Sequence, residues 1–446
     1  MSRAPVRLLV VGAAAAYVAS VHWSYLSIIS PEFAYNGALD RPASDGSLPV
    51  AFMVAILPAL WLPIRVSRPS QVALWSLYIL GYVPTTLIPY YVLGTGFRGI
   101  LPLTVTVTVS FALLSALTTI RLGTTWAPRI PMRTYENFII ALAIALAGYI
   151  ILAFGFSFSL PALADVYSVR STFDRAVAAS SLPLVAYVVD WSLYVASPLL
   201  ILLGLRSGRV GMIIGGLFLE LLVYGTTGYK SALLSVLLVV PLLVLLTRRL
   251  RPAFGLGLPL AGLALVIGSA AWDQISNSIL ASSLFLHRAI ALPGQLAADY
   301  YDLFSSHQQF GLTQSVFSFL GPTPFDLPPA RLIGAVYFGD PSEDANANLW
   351  ADAFANFGLI GIIVFTIILA LVLIWLDSAA TGRDLRVTGA LAGLMAIVLS
   401  NSALLTTILT HGLALAIVLI YLMPREADSP VELLPAVTLW EPANSS

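Results

Sequence analysis

The chain has no cysteine, one lysine, four histidines and few charges of either sign. Without thiols there can be no disulfide, thiolate metal site, iron–sulfur cluster or covalently attached haem. The histidines (His22, His287, His307, His411) lack ligand spacing, so neither a metal site nor any other cofactor is expected. No G-x-x-x-x-G-K-[ST] loop is present, and the lone Lys230 follows Thr-Thr-Gly-Tyr between two apolar runs. With 22 basic against 22 acidic residues, the net charge of zero gives no reason to expect a nucleic-acid partner. Charged residues make up only 10% of the chain, far below the share in a soluble globular domain.

Apolar side chains fill that space, at 59% hydrophobic residues and a mean hydropathy of +0.91. The natural solvent of such a chain is lipid, and the fold class expected is all-α, a polytopic helical membrane protein. A crossing helix needs about 20 apolar residues, because the hydrocarbon core is about 30 Å thick. Runs of this kind fall near residues 6–29, 49–64, 71–93, 100–120, 136–156, 182–205, 210–225, 231–247, 254–272, 353–376, 387–404 and 406–423, about 12 spans in all. The first run follows Arg3 and Arg7 without a convincing cleavage site, so it reads as a retained span. One transmembrane domain over residues 1–424 and a tail over 425–446 complete the expected organisation.

Placing both termini in the cytoplasm puts Arg3, Arg7, Arg65, Arg68, Arg121, Arg129, Arg133, Arg206, Arg209, Arg248, Arg249, Arg251, Arg383, Arg386 and Arg425 inside. Only Arg41, Arg98, Arg170, Arg175, Lys230, Arg288 and Arg331 remain outside, as the positive-inside rule demands of a cytoplasmic (inner) membrane protein. Between spans 9 and 10 the chain then stays outside over residues 273–352, far longer than the usual helix connection and therefore a candidate for function. Helical spacing of aromatics and aliphatics from Ile279 to Phe304 predicts one or two amphipathic or re-entrant helices within it.

Three outer segments gather groups that suit phosphates and sugars. Asp165-Val-Tyr-Ser-Val-Arg170 offers a guanidinium able to fork onto a phosphate, although a solvated loop arginine is the plainer alternative. Gly225-Thr-Thr-Gly-Tyr-Lys-Ser231 sets hydroxyls and an ammonium at a helix start, or is a plain turn with a snorkelling Lys230. The long loop is richest, with Arg288, Asp299, Tyr300, Tyr301, Asp302, Arg331, Asp344, Asn346, Asn348, Trp350 and Asp352. One of its carboxylates can serve as general base toward a hydroxyl, the alternative being an acidic solvated lip. Asp190 and Glu220 fall inside spans 6 and 7, where ionisable groups are costly and pairing with Arg170 or Lys230 is one expectation. His411 and Asn401 lie toward the outer half of the last hairpin.

Together, Asp165-Val-Tyr-Ser-Val-Arg170, Thr227-Gly-Tyr-Lys-Ser231, Phe285-Leu-His-Arg288 with Pro293, Asp299-Tyr-Tyr-Asp-Leu-Phe304 and Asn346-Ala-Asn-Leu-Trp-Ala-Asp-Ala-Phe-Ala-Asn-Phe-Gly-Leu-Ile-Gly361 resemble the O-antigen polymerase (Wzy-like) or oligosaccharide repeat unit polymerase family. The likeness covers residues 165–376 in ordered pieces and the hydropathy outside them. It implies a GT-C-like, inverting, metal-independent glycosyltransferase that joins undecaprenyl-diphosphate-linked oligosaccharides at the outer face of the membrane. Partners implied are those lipid-linked saccharides, the bilayer, and a flippase and chain-length regulator. In that role Arg170, Lys230 and Arg288 would hold the diphosphate, and Asp299, Asp302, Asp344 or Asp352 would be the catalytic base. Tyr300, Tyr301, Asn346, Asn348 and Trp350 would contact sugar. Two alternatives stay open. One is an O-antigen-ligase-like or other GT-C transferase acting on a different acceptor; the other is a polysaccharide transporter or flippase.

Overall fold

The computed structural model describes residues 3–41, 46–122, 130–155, 172–173, 175–177, 182 and 184–425, with backbone alone for 230–236, 238 and 320. Among these residues every regular element is a helix, and nine helices are long and apolar enough to cross a membrane. The nine are α1 (Ala4–Asn36), α3 (Pro69–Leu93), α4 (Gly96–Leu117), α5 (Met132–Phe154), α6 (Val185–Ser207), α7 (Val210–Thr227), α9 (Arg251–Ser276), α12 (Leu349–Ala379) and the segment Leu404–Leu422. Shorter helices α2 (Leu48–Leu60), α8 (Lys230–Leu245), α10 (Leu292–Ser306), α11 (Pro329–Ile333) and α13 (Leu385–Leu399) lie between them. The segment Leu404–Leu422 is itself broken into α14 (Leu404–Leu409) and α15 (Leu413–Leu422). The chain is thus a polytopic helical membrane protein.

Its centre is α3, the most apolar window of which is wholly buried. A helix apolar on every side has no face to give to water, so it sits inside a ring of other helices. α13 packs on its first half and α10 on its second, while α12 lies against α4 and α1 against α9. Small residues permit the closest of these approaches. A β-carbon on Gly294 would fall 2.4 Å from the Pro84 carbonyl oxygen, so α10 meets α3 backbone to backbone.

The segment expected to carry amphipathic or re-entrant helices forms one continuous rod, a π-helix over Ser282–Ala291 running into α10. It is wedged into the bundle, with Pro293, Leu296, Ala298 and Phe304 all buried. The span expected over residues 353–376, by contrast, is not a single rod. α12 kinks at Phe357 (φ −145°, ψ 20°) and Gly358 (φ 61°, ψ −150°), the latter a conformation open in practice only to glycine. The kink frees carbonyls of the preceding turn. Phe310 N–H then donates to Ala355 O at 3.0 Å and Gly311 N–H to Asn356 O at 3.0 Å, while Asn356 Oδ1 accepts from Leu312 N–H at 2.9 Å.

Ion pairs join helix ends that lie far apart in the chain. Arg68 pairs with Asp377 at 3.4 Å, Arg206 with Asp384 at 3.4 Å and Arg209 with Glu136 at 2.7 Å. The buried guanidinium of Arg383 donates to Ala379 O and Met423 O at 2.5 Å each, and to Tyr421 O. It therefore satisfies carbonyls at the C-terminal ends of α12 and α15 together, where a cation also suits the helix dipoles.

Candidate functional site

The rod Ser282–Ser306 faces the C-terminal end of α1 and the turn that follows it. His287 stacks on Phe33 with ring centroids 4.2 Å apart and an interplanar angle of 4°. Two turns further along, Gln295 Nε2 donates to Asn36 O at 2.7 Å. Beyond it, Asp299 lies within electrostatic reach of Arg41. The turn is held to α3 and α1, since Arg41 N–H donates to Tyr91 O at 2.9 Å and Tyr25 O–H to Leu39 O at 2.7 Å. Gly94 makes this fit: it sits at φ +64°, and a β-carbon there would meet Arg41 Cβ at 2.7 Å.

Along this rod the buried atoms Ser282 Oγ, His287 Nε2, Gln295 Oε1 and Asp299 Oδ2 have no hydrogen-bond partner among the described residues. Interiors rarely leave such groups unpaired, and a catalytic role or a bound water or ion is among the reasons for one. The Asp299 side chain is 4% exposed, and burial, with a contribution from nearby Asp302, pushes its carboxyl up to about 8, against an opposing pull from Arg41. A carboxyl ionising near neutrality is suited to taking a proton from a hydroxyl. His287 moves the other way, down to about 4, through burial and the adjacent Arg288.

The remaining expected site residues divide by where the fold puts them. Asp302 is exposed beside Asp299 and accepts from Tyr337 O–H at 2.7 Å. Burial, and then that contact, raise the Tyr337 phenol above its usual range. Asp344 pairs with Arg331 at 3.1 Å, and Asn346 next to it is exposed. Tyr301 is half-buried against Phe354, and its hydroxyl donates to Gly99 O at 3.4 Å. Arg288 is exposed on the π-helix, four residues after Leu284. Asp352 lies in the first turn of α12, before the kink.

Three of the five expected sugar contacts are interior instead. Asn348 is 0% exposed and caps α12, its Oδ1 accepting from Trp350 N–H at 3.0 Å and Ala351 N–H at 3.1 Å. Trp350 is also fully buried, with Nε1 donating to Thr366 Oγ1 at 3.1 Å. Tyr300, 2% exposed, donates to Ala345 O at 3.1 Å. Their polar atoms are committed to holding the end of the long loop against the bundle. Of the expected diphosphate ligands, Arg170 lies outside the described residues, and Lys230 is described only as the first residue of α8. Among the described side chains, Asp190 meets His411 Nδ1 at 3.0 Å.

Beside the start of the rod, an apolar groove of about 370 Å³ opens on the flank of the bundle, lined by Leu265, Trp272, Leu280, Leu284 and Phe285 among others. Its walls come from α9 and the π-helix that carries Arg288. Among the described residues no three His, Asp or Glu side chains converge as metal ligands would. No family model, curated protein or solved structure matches this chain.

Proposed function

We propose that the protein is a membrane glycosyltransferase that polymerises undecaprenyl-diphosphate-linked oligosaccharide repeat units into a surface polysaccharide. The single observation that carries this reading is the placement of an apolar groove, an exposed arginine and a buried carboxylate with one oxygen left without a hydrogen bond among the described residues, all along one helical rod. A prenyl chain needs apolar walls, its diphosphate needs cations, and its sugars need polar groups at the water boundary. The groove beside Phe285, then Arg288, then buried Asp299 with exposed Asp302 beside it follow in that order along the chain.

On this reading the chain crosses the cytoplasmic membrane 12 times with both termini inside, as a GT-C-like transferase, and residues 273–352 lie outside. The acceptor hydroxyl attacks the anomeric carbon opposite the carrier, its proton passes to Asp299, and the bond to the carrier oxygen breaks with inversion. Undecaprenyl diphosphate leaves with the electron pair, and Arg288, with Arg41 at the far end of the rod, offsets its developing charge. Asp302 and Tyr337 border the path of the saccharide. A flippase delivers the substrate and a chain-length regulator sets the product.

The test is reconstitution. Purified protein in proteoliposomes, given an undecaprenyl-diphosphate-linked repeat unit, should release undecaprenyl diphosphate and form longer saccharides. Loss of a general base typically costs about 10²–10⁴ in rate, the loss expected for Asp299→Asn. An Asp299→Asn enzyme that elongates at the wild-type rate removes the proposed base, and the absence of any elongation by wild type removes the proposed reaction.

A further inference from the structure

A second cluster of chemically able side chains lies away from this rod, where α6 meets the break between α14 and α15. Ser402 Oγ is 3.0 Å from His411 Nε2, and His411 Nδ1 is 3.0 Å from Asp190 Oδ2. An ionised Asp190 can only accept, so it fixes the tautomer with hydrogen on Nδ1 and leaves Nε2 to accept from the Ser402 hydroxyl. That is the order of contacts that activates a serine: hydroxyl, imidazole base, orienting carboxylate.

The local backbone is shaped to bring these three together. His411 sits in the break, followed by Gly412 at φ +85°, and a β-carbon on Gly412 would meet Val195 Cγ2 at 2.8 Å and Trp191 Cδ1 at 2.9 Å. Only glycine lets the break close onto α6 there. Trp191 Nε1 donates to Leu409 O at 3.1 Å and so ties the broken segment to the helix that carries Asp190. A π turn over Ser192–Ala196 follows at once, and such turns recur at functional positions inside helices. The imidazole is braced by an edge-on contact with Tyr194 at 5.1 Å.

We propose that Ser402, His411 and Asp190 form a nucleophilic centre that acts on acyl esters of membrane lipids. Asp190 lies five residues into α6, and Tyr187 and Trp191 pack edge to face beside it at 6.0 Å. Aromatics with a polar edge gather at the membrane–water boundary, the depth at which glycerolipid ester carbonyls lie. The centre is mostly enclosed and open only at its edge, with Ser402 8% exposed, 17% of the His411 side chain and 12% of the Asp190 side chain. In the step itself the Ser402 oxygen bonds to the ester carbonyl carbon while its proton passes to His411 Nε2. The ester carbon–oxygen bond then breaks and the departing alcohol takes that proton. Water resolves the acyl-serine by the same relay, releasing a fatty acid.

The experiment uses the full-length protein in phospholipid vesicles, treated with a fluorophosphonate that phosphonylates activated serines. Mass spectrometry should find one adduct, on Ser402, absent from Ser402→Ala and formed at least tenfold more slowly by His411→Gln and Asp190→Asn. Thermal melting of each variant establishes that it remains folded, and Ser402→Cys, which keeps a nucleophile, should accept an iodoacetamide probe as a second readout of access. An unlabelled wild type, or labelling that persists in folded Ser402→Ala, overturns the proposal and leaves the three as a packing network.

Discussion

Asn348 Nδ2 donates to Thr85 Oγ1 at 2.9 Å and to Pro293 O at 3.2 Å, joining the start of α12 to α3 and to α10 through one side chain. The same residue caps α12 with its other side-chain atom, so four hydrogen bonds depend on it. Loss of an Asn cap costs about 0.5–2 kcal/mol, and buried partners left without it add to that. Asn348→Ala should lower the melting temperature in detergent, and a cycle with Thr85→Val should show coupling above about 0.5 kcal/mol. Additive effects would separate the two residues.

The kink in α12 gives a contrast between glycines. Gly358, at φ 61° and ψ −150°, should cost about 1–3 kcal/mol when replaced by alanine, because the backbone must leave that conformation or bear the strain. Gly12, within α1, has open space around the β-carbon position, so Gly12→Ala should be neutral or stabilising by up to about 1 kcal/mol. Thermal unfolding of both variants checks the sign of each.

Asp299 makes stability depend on pH. Its carboxyl is raised from 3.8 to about 8 in the folded chain, so folding favours the protonated form. The stability this contributes is complete below about pH 4 and is lost as pH rises through the folded value near 8. Melting temperatures measured from pH 5 to pH 9 should fall more steeply for wild type than for Asp299→Asn. Parallel curves would mean that the carboxyl is not shielded as described.

The Arg331–Asp344 pair should matter little to stability. Both side chains are substantially exposed, and exposed pairs contribute about 0–1 kcal/mol. Asp344→Asn should therefore melt within that margin of wild type and keep its elongation rate. A variant that melts normally but has lost elongation would transfer the role of base from Asp299 to Asp344.

Much of this architecture is legible in the chain because lipid imposes one demand on every crossing helix, a long apolar run. The breaks are less legible. Gly358 and Gly412 stand in runs as apolar as any other, and their conformations depend on which helix must be approached or which carbonyl must be satisfied. Asn348 precedes Leu-Trp-Ala in the pattern of a helix cap, yet it can as readily be taken for a sugar contact, because burial is decided by α3 more than 250 residues earlier. Asp299 stood among four candidate carboxylates. Its distinction from Asp302 comes from the face of α10 turned toward α1, a contact that no local spacing announces. Phe33, Asn36, Arg41 and Gln295 were missed for the same reason, although Gln295 and Asp299 are spaced four apart. Ser402 gives no signal at all, since a serine in an apolar helix turn is ordinary until a distant carboxylate and imidazole meet it.

The measurement that bears most directly on the proposed function is electrophoresis of surface glycans from cells lacking the gene, complemented in turn with wild type and Asp299→Asn. The account predicts single repeat units in the deletion, a ladder of longer chains on return of wild type, and no ladder with Asp299→Asn at equal expression. A ladder that survives the deletion, or that Asp299→Asn fully restores, contradicts it.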